Sequence, residues 1–125
     1  MDITPAVPAD RQIIQSYGDG GFRITQVRHQ GAVLVTPQQT WPWPVAGFDA
    51  IDADSLAPLH DAAETVEILL LGCGPSIRPV PAALRQSLRE RGIVVEPMDT
   101  GAACRTYNVL LSEARRVAAA LLPVG

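Results

Sequence analysis

The feature that most constrains this chain is a pair of apolar runs separated by one amphipathic segment. Val66–Leu71 is almost entirely apolar, which is typical of a strand covered on both faces, as in a parallel sheet. Ile93–Met98 is the second run, and Pro81–Arg91 between them carries Leu84 and Leu88 at helical spacing. A connection of this length predicts a βαβ unit with two parallel strands.

The ends of these elements carry their own signals. Pro81 suits the first turn of a helix, because the amide that it lacks would be unpaired there, and Gly92 suits the position just after the last turn. Pro97 cannot donate to a ladder, so we expect the second strand at an edge of the sheet.

The N-terminal part predicts a β meander. Strands are expected at Ile13–Tyr17, Phe22–Val27 and Ala32–Thr36, with turns at Gly18–Gly21 and His29–Gly31. Residues 1–10 contain two prolines and little apolar surface, so we expect a disordered arm there and a single domain over residues 11–125.

Two tryptophans follow the meander. Trp41–Pro44 is too rich in proline for a helix and is expected to be extended, which places Trp41 and Trp43 on the same side. The pair either covers one end of the core or forms a candidate partner surface.

A short helix is expected after the tryptophans. Asp54 or Ser55 would cap it, Leu56 and Leu59 would be its buried residues, and it would end near Ala63.

The polar side chains are most concentrated in Met98–Asn108, where the second strand ends and a helix begins. Asp99 or Thr100 can cap that helix. Because ligands in such sheets lie outside the carboxyl ends of parallel strands, this stretch and the loop after Leu71 are expected to share one rim. The candidate ligand-binding or partner-binding residues are Gly72, Cys73, Gly74, Asp99, Thr100, Arg105, Tyr107 and Asn108.

Two interpretations of this rim remain open. Loop amides, a helix N-terminus and Arg105 could together hold a small anion. Alternatively the same residues are architectural: Asp99 and Thr100 as a cap, and Tyr107 and Asn108 as partners for buried backbone groups.

Several function classes are disfavoured. A net charge of −3 argues against nucleic-acid binding, and Ile77 stands where a dinucleotide fingerprint needs its third glycine. Lysine is absent, so there is no Walker loop. No apolar stretch approaches the roughly 20 residues of a membrane span, and the N-terminus does not resemble a signal peptide, so we expect a cytoplasmic protein.

The two cysteines do not form a disulfide framework or a metal site. Cys104 lies in the first turns of the predicted helix, where the helix dipole would lower a thiol pKa. A nucleophile also needs a base, and His29 and His60 are distant in sequence. Small buried residues are the favoured account of Cys73 and Cys104, and we predict no cofactor and no metal.

The residues of the C-terminal segment are compatible with two different structures. Propensity alone extends one helix from Thr100 to Leu122, whereas Arg115 and Arg116 followed by Val117–Leu122 equally indicate a turn and a buried strand.

Three segments, 68–75, 91–96 and above all 98–110, resemble a small single-domain family, most densely over residues 66–122. That family includes mitochondrial complex I (NADH:ubiquinone oxidoreductase) assembly factor 3, the adipogenesis-associated Mth-domain protein and many bacterial members of unknown function. The resemblance implies a three-layer α/β domain with a mixed central sheet, an N-terminal β meander and one βαβ unit. It also implies that the predicted helix ends near Glu113 and that a final antiparallel strand spans about Arg116–Leu122.

The resemblance implies a bacterial protein with an assembly-factor-like role, and it supplies no catalytic residues. Because no complete catalytic constellation can be assembled from the residues present, an interaction module with a protein partner, linked to respiratory-complex assembly, is favoured over an enzyme. The alternative is a binder of small molecules or anions that uses the rim of residues 72–76 and 99–108.

Overall fold

The computed structural model describes residues 11–60 and 66–125. The arm predicted for residues 1–10 and the helix end predicted near Ala63 lie outside these residues.

A five-stranded mixed sheet forms the centre of the structure, with strand order β5-β4-β8-β6-β7. Its strands are β4 (Val33–Val35), β5 (Thr40–Pro42), β6 (Ile68–Gly72), β7 (Val94–Met98) and β8 (Val117–Leu121). The apolar run that predicted a doubly covered strand supplies β6, which lies between β8 and β7.

The predicted βαβ unit is confirmed. Helix α2 (Ala82–Glu90) connects β6 to β7, and these two strands are parallel with Ile68 opposite Val94. Leu84 and Leu88 are its buried residues. The β7 strand lies at the edge of the sheet, as Pro97 predicted.

The C-terminal segment divides into a helix and a strand, as the resemblance implied. Helix α3 (Thr100–Ser112) ends at a cap on Glu113, and β8 follows. The expected antiparallel pairing of β8 is found with β4, whereas its pairing with β6 is parallel. Strand β8 therefore joins the parallel and antiparallel parts of the sheet.

The N-terminal meander is a separate three-stranded sheet of β1 (Ile14–Gly18), β2 (Gly21–Ile24) and β3 (Val27–Gln30). The single strand predicted over Phe22–Val27 is wrong, because Thr25 and Gln26 form a tight turn with φ of 45° and 71° that separates β2 from β3. His29 consequently lies in β3 and not in a turn, and Ala32–Thr36 supplies β4 of the central sheet instead of a third meander strand.

Two clusters of buried side chains cover the two faces of the central sheet and give the predicted three layers. On one face, α2 and the segment around Trp43 pack against residues such as Leu69 and Ala118. On the other face, α3 and the small sheet pack against Leu70 and Ala119. The predicted α/β fold class is confirmed.

The segment from Phe48 to His60 forms short helical turns at Phe48–Ala50 and Asp54–Leu56, followed by α1 (Ala57–His60). The cap predicted at Asp54 or Ser55 is wrong. The N-cap of the turn Asp54–Leu56 is Ala53, and the carboxylate of Asp52 just before it accepts from the Ser55 amide at 2.8 Å.

Candidate functional site

The carboxyl ends of the two parallel strands lie side by side, as predicted. The Cys73 amide donates to the Met98 carbonyl, and the Thr100 amide donates to the Gly74 carbonyl, each at 2.9 Å. The rim therefore brings together Gly72, Cys73, Gly74, Asp99 and Thr100.

Thr100 fills the space between the strand ends. Its side chain is fully buried, and its hydroxyl donates to the Leu122 carbonyl (2.7 Å) while accepting from the Gly74 amide (2.9 Å). A Cβ on Gly72 would lie 3.0 Å from this hydroxyl and 2.9 Å from Leu121 Cδ2. The junction therefore leaves no room for a larger residue beside the threonine.

The amides of Gly74, Thr100 and Ala102, which an anion at the rim would need, are already paired. Asp99 is the helix cap, because its carboxylate accepts from the Ala102 amide at 2.9 Å. The Gly74 amide donates to the Thr100 hydroxyl, and the Thr100 amide donates to the Gly74 carbonyl. An anion at this point would have to displace these internal acceptors, so the rim is packed as a cap and strand junction.

The other three predicted site residues, Arg105, Tyr107 and Asn108, lie elsewhere, between α3 and β1. The Tyr107 hydroxyl donates to the Gln12 carbonyl at 2.8 Å, and burial raises the pKa of this phenol. Asn108 bonds the backbone of Ile14 through both ends of its amide. These contacts are the ones that the architectural interpretation predicts for both side chains.

Arg105 lies on the same side of α3 and is exposed. Among the described residues it makes no ion pair with Asp99 or any other carboxylate. It lines a groove of about 370 Å³ between α3 and β1, whose walls are Ile14, Gln15, Ser16, Tyr17, Cys104, Arg105 and Asn108.

Both cysteines are free and buried, in agreement with the favoured account of them. The expectation of a lowered thiol pKa at Cys104 is wrong. Burial raises its pKa to about 12, and the opposing effect of Arg105 is smaller than this desolvation. A thiol with so high a pKa is a weak nucleophile at neutral pH.

A second cavity, of about 390 Å³, opens on the far side of Gly74. The Arg78 guanidinium lies 4.3 Å from the centre of the Phe48 ring and 3.3 Å from Asp49. Phe48 and Arg78 were not among the predicted site residues, because Phe48 begins a short helical turn and Arg78 lies in a loop, and neither belongs to a motif. The lining residues are Gly31, Ala32, Val45, Ala46, Gly47, Phe48, Cys73, Gly74, Pro75, Arg78, Leu122 and Pro123.

The two tryptophans differ in their exposure. Trp43 is 2% exposed, belongs to the core and donates from its indole to the Ser55 carbonyl at 3.0 Å. Trp41 is half-buried and packs against the same cluster. These positions favour the interpretation in which the tryptophans cover one end of the core. A partner surface at this place would depend on Trp41, the more exposed of the two.

Within residues 11–60 and 66–125, no three His, Cys, Asp or Glu side chains cluster in a way that could hold a metal ion. In the same residues, no helix is long and apolar enough to cross a membrane.

Residues 14–122 match the family described as "Protein of unknown function (DUF498/DUF598)". The chain belongs to this family. The proteins to which it is similar include ones named as assembly factors and an uncharacterised one.

An uncharacterised protein of Rhodobacter capsulatus is 45% identical over 111 residues, which are 89% of this chain and 84% of that protein. NADH dehydrogenase [ubiquinone] 1 alpha subcomplex assembly factor 3 of Xenopus tropicalis is 34% identical over 92% of this chain and 63% of its own length. The chain thus spans under two thirds of the length of that assembly factor.

A solved structure supports the fold at similar identity. The solution structure of a Bordetella pertussis protein, described as a Mth938-like domain, has a TM-score of 0.80 at 33% identity. The match covers 98% of this chain and 92% of that one. The family and fold that residues 68–75, 91–96 and 98–110 implied are therefore confirmed.

Proposed function

We propose that this chain is a protein-interaction module of the assembly-factor type, which acts by holding a protein partner and not by converting a small molecule. The observation that carries the proposal is the buried Thr100, whose hydroxyl and amide occupy the crevice in which an α/β domain of this kind would hold a ligand. The names of the assembly-factor relatives support the same choice.

The proposed partner is a component of respiratory complex I or of its assembly, and the proposed location is the bacterial cytoplasm. Both extensions rest on the relatives: the eukaryotic ones are named for complex I, and a bacterial one is 45% identical. Ten arginines and thirteen acidic residues provide charged groups with which a protein partner could pair.

Affinity purification from the native cell tests this proposal. An epitope-tagged chain expressed at its normal level is recovered after gentle lysis, and the bound proteins are identified by mass spectrometry against a tag-only control. Enrichment of NADH:ubiquinone oxidoreductase subunits is expected. Recovery of the chain alone, at native abundance and after cross-linking, would contradict the proposal.

Arg105 is the residue of the predicted site that remains available to a partner, since it is exposed and unpaired among the described residues. Arg105→Ala should leave the melting temperature unchanged and reduce partner capture. Arg89→Ala on the exposed side of α2 is the matched control, because it removes the same charge from the opposite side of the sheet. Equal capture by both variants would exclude Arg105 from the interface.

A second candidate function is binding of a small anionic ligand in the cavity beside Phe48 and Arg78. The stacked guanidinium and the apolar walls favour a flat ligand that carries a carboxylate. Benzoate is a suitable probe. Saturable binding that Arg78→Gln weakens would support this function, and its absence would leave the interaction module as the proposed function.

A further inference from the structure

Strand β3 is an edge strand whose outer side is open. The Gly31 amide donates to the Gly20 carbonyl at 2.8 Å, and the pairs Phe22–His29 and Ile24–Val27 continue the same register. Because ladder bonds alternate along an antiparallel pair, Arg28 and Gln30 direct their backbone N–H and C=O groups away from β2. In the described part of the chain, no other strand pairs with β3 on that side.

Two other edges of the same structure are protected. On β7, the Val95 carbonyl accepts from Arg85 Nη1 at 3.3 Å, and Pro97 has no amide to offer. On β1, the side chain of Asn108 bonds both backbone groups of Ile14. Proteins commonly block their edge strands in such ways, because an open edge recruits further strands. The open side of β3 thus differs from these two edges.

The solvent-exposed face of the small sheet carries two positive charges beside this edge. Arg23 and Arg28 lie directly opposite each other on β2 and β3, and both are exposed. Within residues 11–60 and 66–125, their guanidinium groups donate only to neutral oxygens, of Gln26 for Arg23 and of Gly18, Asp19 and Gln30 for Arg28. Like charges at directly opposed positions destabilise a strand pair.

In the described part of the chain, no carboxylate forms an ion pair with Arg23 or Arg28. Residues 21–30 contain no acidic side chain, and Asp19 accepts from Arg28 through its backbone carbonyl. A carboxylate placed beside Arg28 would neutralise the pair and would form a charge-assisted hydrogen bond.

The inner face of the same edge is apolar. Val27 lies opposite the buried Ile24, and 55% of its surface is exposed. His29 lies opposite Phe22 on the same face and is half-buried. The apolar layer under the small sheet therefore continues to the edge of β3 and stops there uncovered.

We propose that β3 is a docking edge for an extended acidic segment of a protein partner, which adds to the small sheet as a further strand. In that segment apolar side chains alternate with carboxylates, so that the apolar ones cover Val27 and His29 while the carboxylates face Arg28 and Arg23. The inference rests on the proposed function and specifies the chemistry of its partner. Backbone bonds to Arg28 and Gln30 supply affinity, and the alternating pattern supplies selectivity.

A titration with synthetic peptides tests this edge. The probe is a blocked peptide of alternating valine and glutamate that is long enough to span β3, added to the ¹⁵N-labelled full chain. Amide shifts are expected at Arg28, Gln30 and their neighbours. A peptide with lysine in place of glutamate, and the glutamate peptide with N-methylated amides on its bonding edge, should both fail to bind.

Protein variants test the charge separately. Arg28→Gln should weaken peptide binding about two- to fivefold, the effect of one cross-strand charge pair, and Arg23→Gln, one strand further from the docked segment, should weaken it less. Arg89→Gln on α2 should bind like the original chain. Two arginine variants are used because Arg28 also bonds the β1–β2 turn and its loss could disturb folding, which the reference amide spectrum reports.

Three results would overturn the proposal: no shifts along β3 up to millimolar glutamate peptide, equal binding of the lysine peptide, or shifts reproduced by inorganic phosphate alone. Dimerisation of the free chain through β3, seen by light scattering and abolished by Gln30→Pro, would replace the partner strand by a second copy. Each of these results leaves the affinity-purification test of the proposed function intact, since a partner can be captured through another surface.

Discussion

The side-chain amide of Asn108 takes the place of a neighbouring strand for Ile14. Its Oδ1 accepts from the Ile14 amide at 3.0 Å, and its Nδ2 donates to the Ile14 carbonyl at 2.7 Å. These two bonds are those that a backbone residue would make in an antiparallel ladder. Helix α3 thereby holds the small sheet against the central one through two residues that are 94 positions apart in the sequence.

Asn108→Leu should destabilise the protein by about 2–4 kcal/mol, because two partly buried backbone groups lose their partner and an apolar side chain of similar shape cannot hydrogen-bond them. Urea denaturation followed by circular dichroism measures the change. Val109→Ala, at a position 55% exposed on the same helix, is the control and should stay within about 0.5 kcal/mol. Equal stabilities for the two variants would show that the bonds to Ile14 contribute little.

The elements with strong periodicity were predictable from the sequence, because one local signal decided each. The apolar run that forms β6 and the Leu84–Leu88 spacing of α2 needed no long-range information. Asp99 was one of two predicted caps, and the adjacency of Gly74 and Thr100 followed from the parallel strands.

What could not be predicted depends on contacts between distant residues. The turn at Thr25 and Gln26 contains no glycine, and partners in the preceding segment help to hold it: Thr25 Oγ1 accepts from the Ile13 amide, and the Gln26 amide donates to Gln15 Oε1. Likewise, Arg105 and Asn108 are close to the rim in sequence, yet the rotation of α3 directs them toward β1. No periodicity encodes either arrangement.

Thr100 offers a test of how much one buried hydroxyl stabilises the rim. Thr100→Val keeps the shape of the side chain but leaves the Gly74 amide and the Leu122 carbonyl without this partner. We expect a loss of about 2–4 kcal/mol by urea denaturation, and about 1 kcal/mol for Thr100→Ser, which keeps the hydroxyl. A valine variant more stable than the serine variant would contradict the assigned role of the hydroxyl.

Two glycines near the rim should respond differently to alanine. At Gly72 a Cβ would meet fully buried atoms of Leu121 and Thr100, including the Thr100 Cα at 3.2 Å, so Gly72→Ala should cost about 1–3 kcal/mol. At Gly101 the Cβ would meet the hydroxyl of Tyr17, a residue that is 42% exposed and whose side chain is therefore free to move.

Gly101→Ala also gains helix propensity, which offsets the displacement of Tyr17, so its stability should change by less than about 1 kcal/mol. Thermal denaturation of the two variants side by side measures the difference. An equal loss at both glycines would mean that Tyr17 is as firmly fixed as the core.

The thiol of Cys104 should react only when the protein opens. Because burial raises its pKa to about 12, the thiolate fraction at neutral pH falls roughly a thousandfold below that of a free cysteine. In a Cys73→Ala background, where Cys104 is the remaining cysteine, labelling by a disulfide reagent should be slow in buffer and fast in urea. Rapid labelling of the folded protein at neutral pH would contradict the buried placement.

The raised pKa of Cys104 also predicts how the stability of the protein changes with pH. The pKa of Cys104 is higher in the folded chain than the usual thiol value of about 8.5, so its contribution to stability is fully present below that value. The contribution is lost as the pH rises from there toward 12. Chemical denaturation at a series of pH values between 7 and 10 should therefore show a steeper alkaline loss in the original chain than in Cys104→Ala, which has no thiol to ionise at this position.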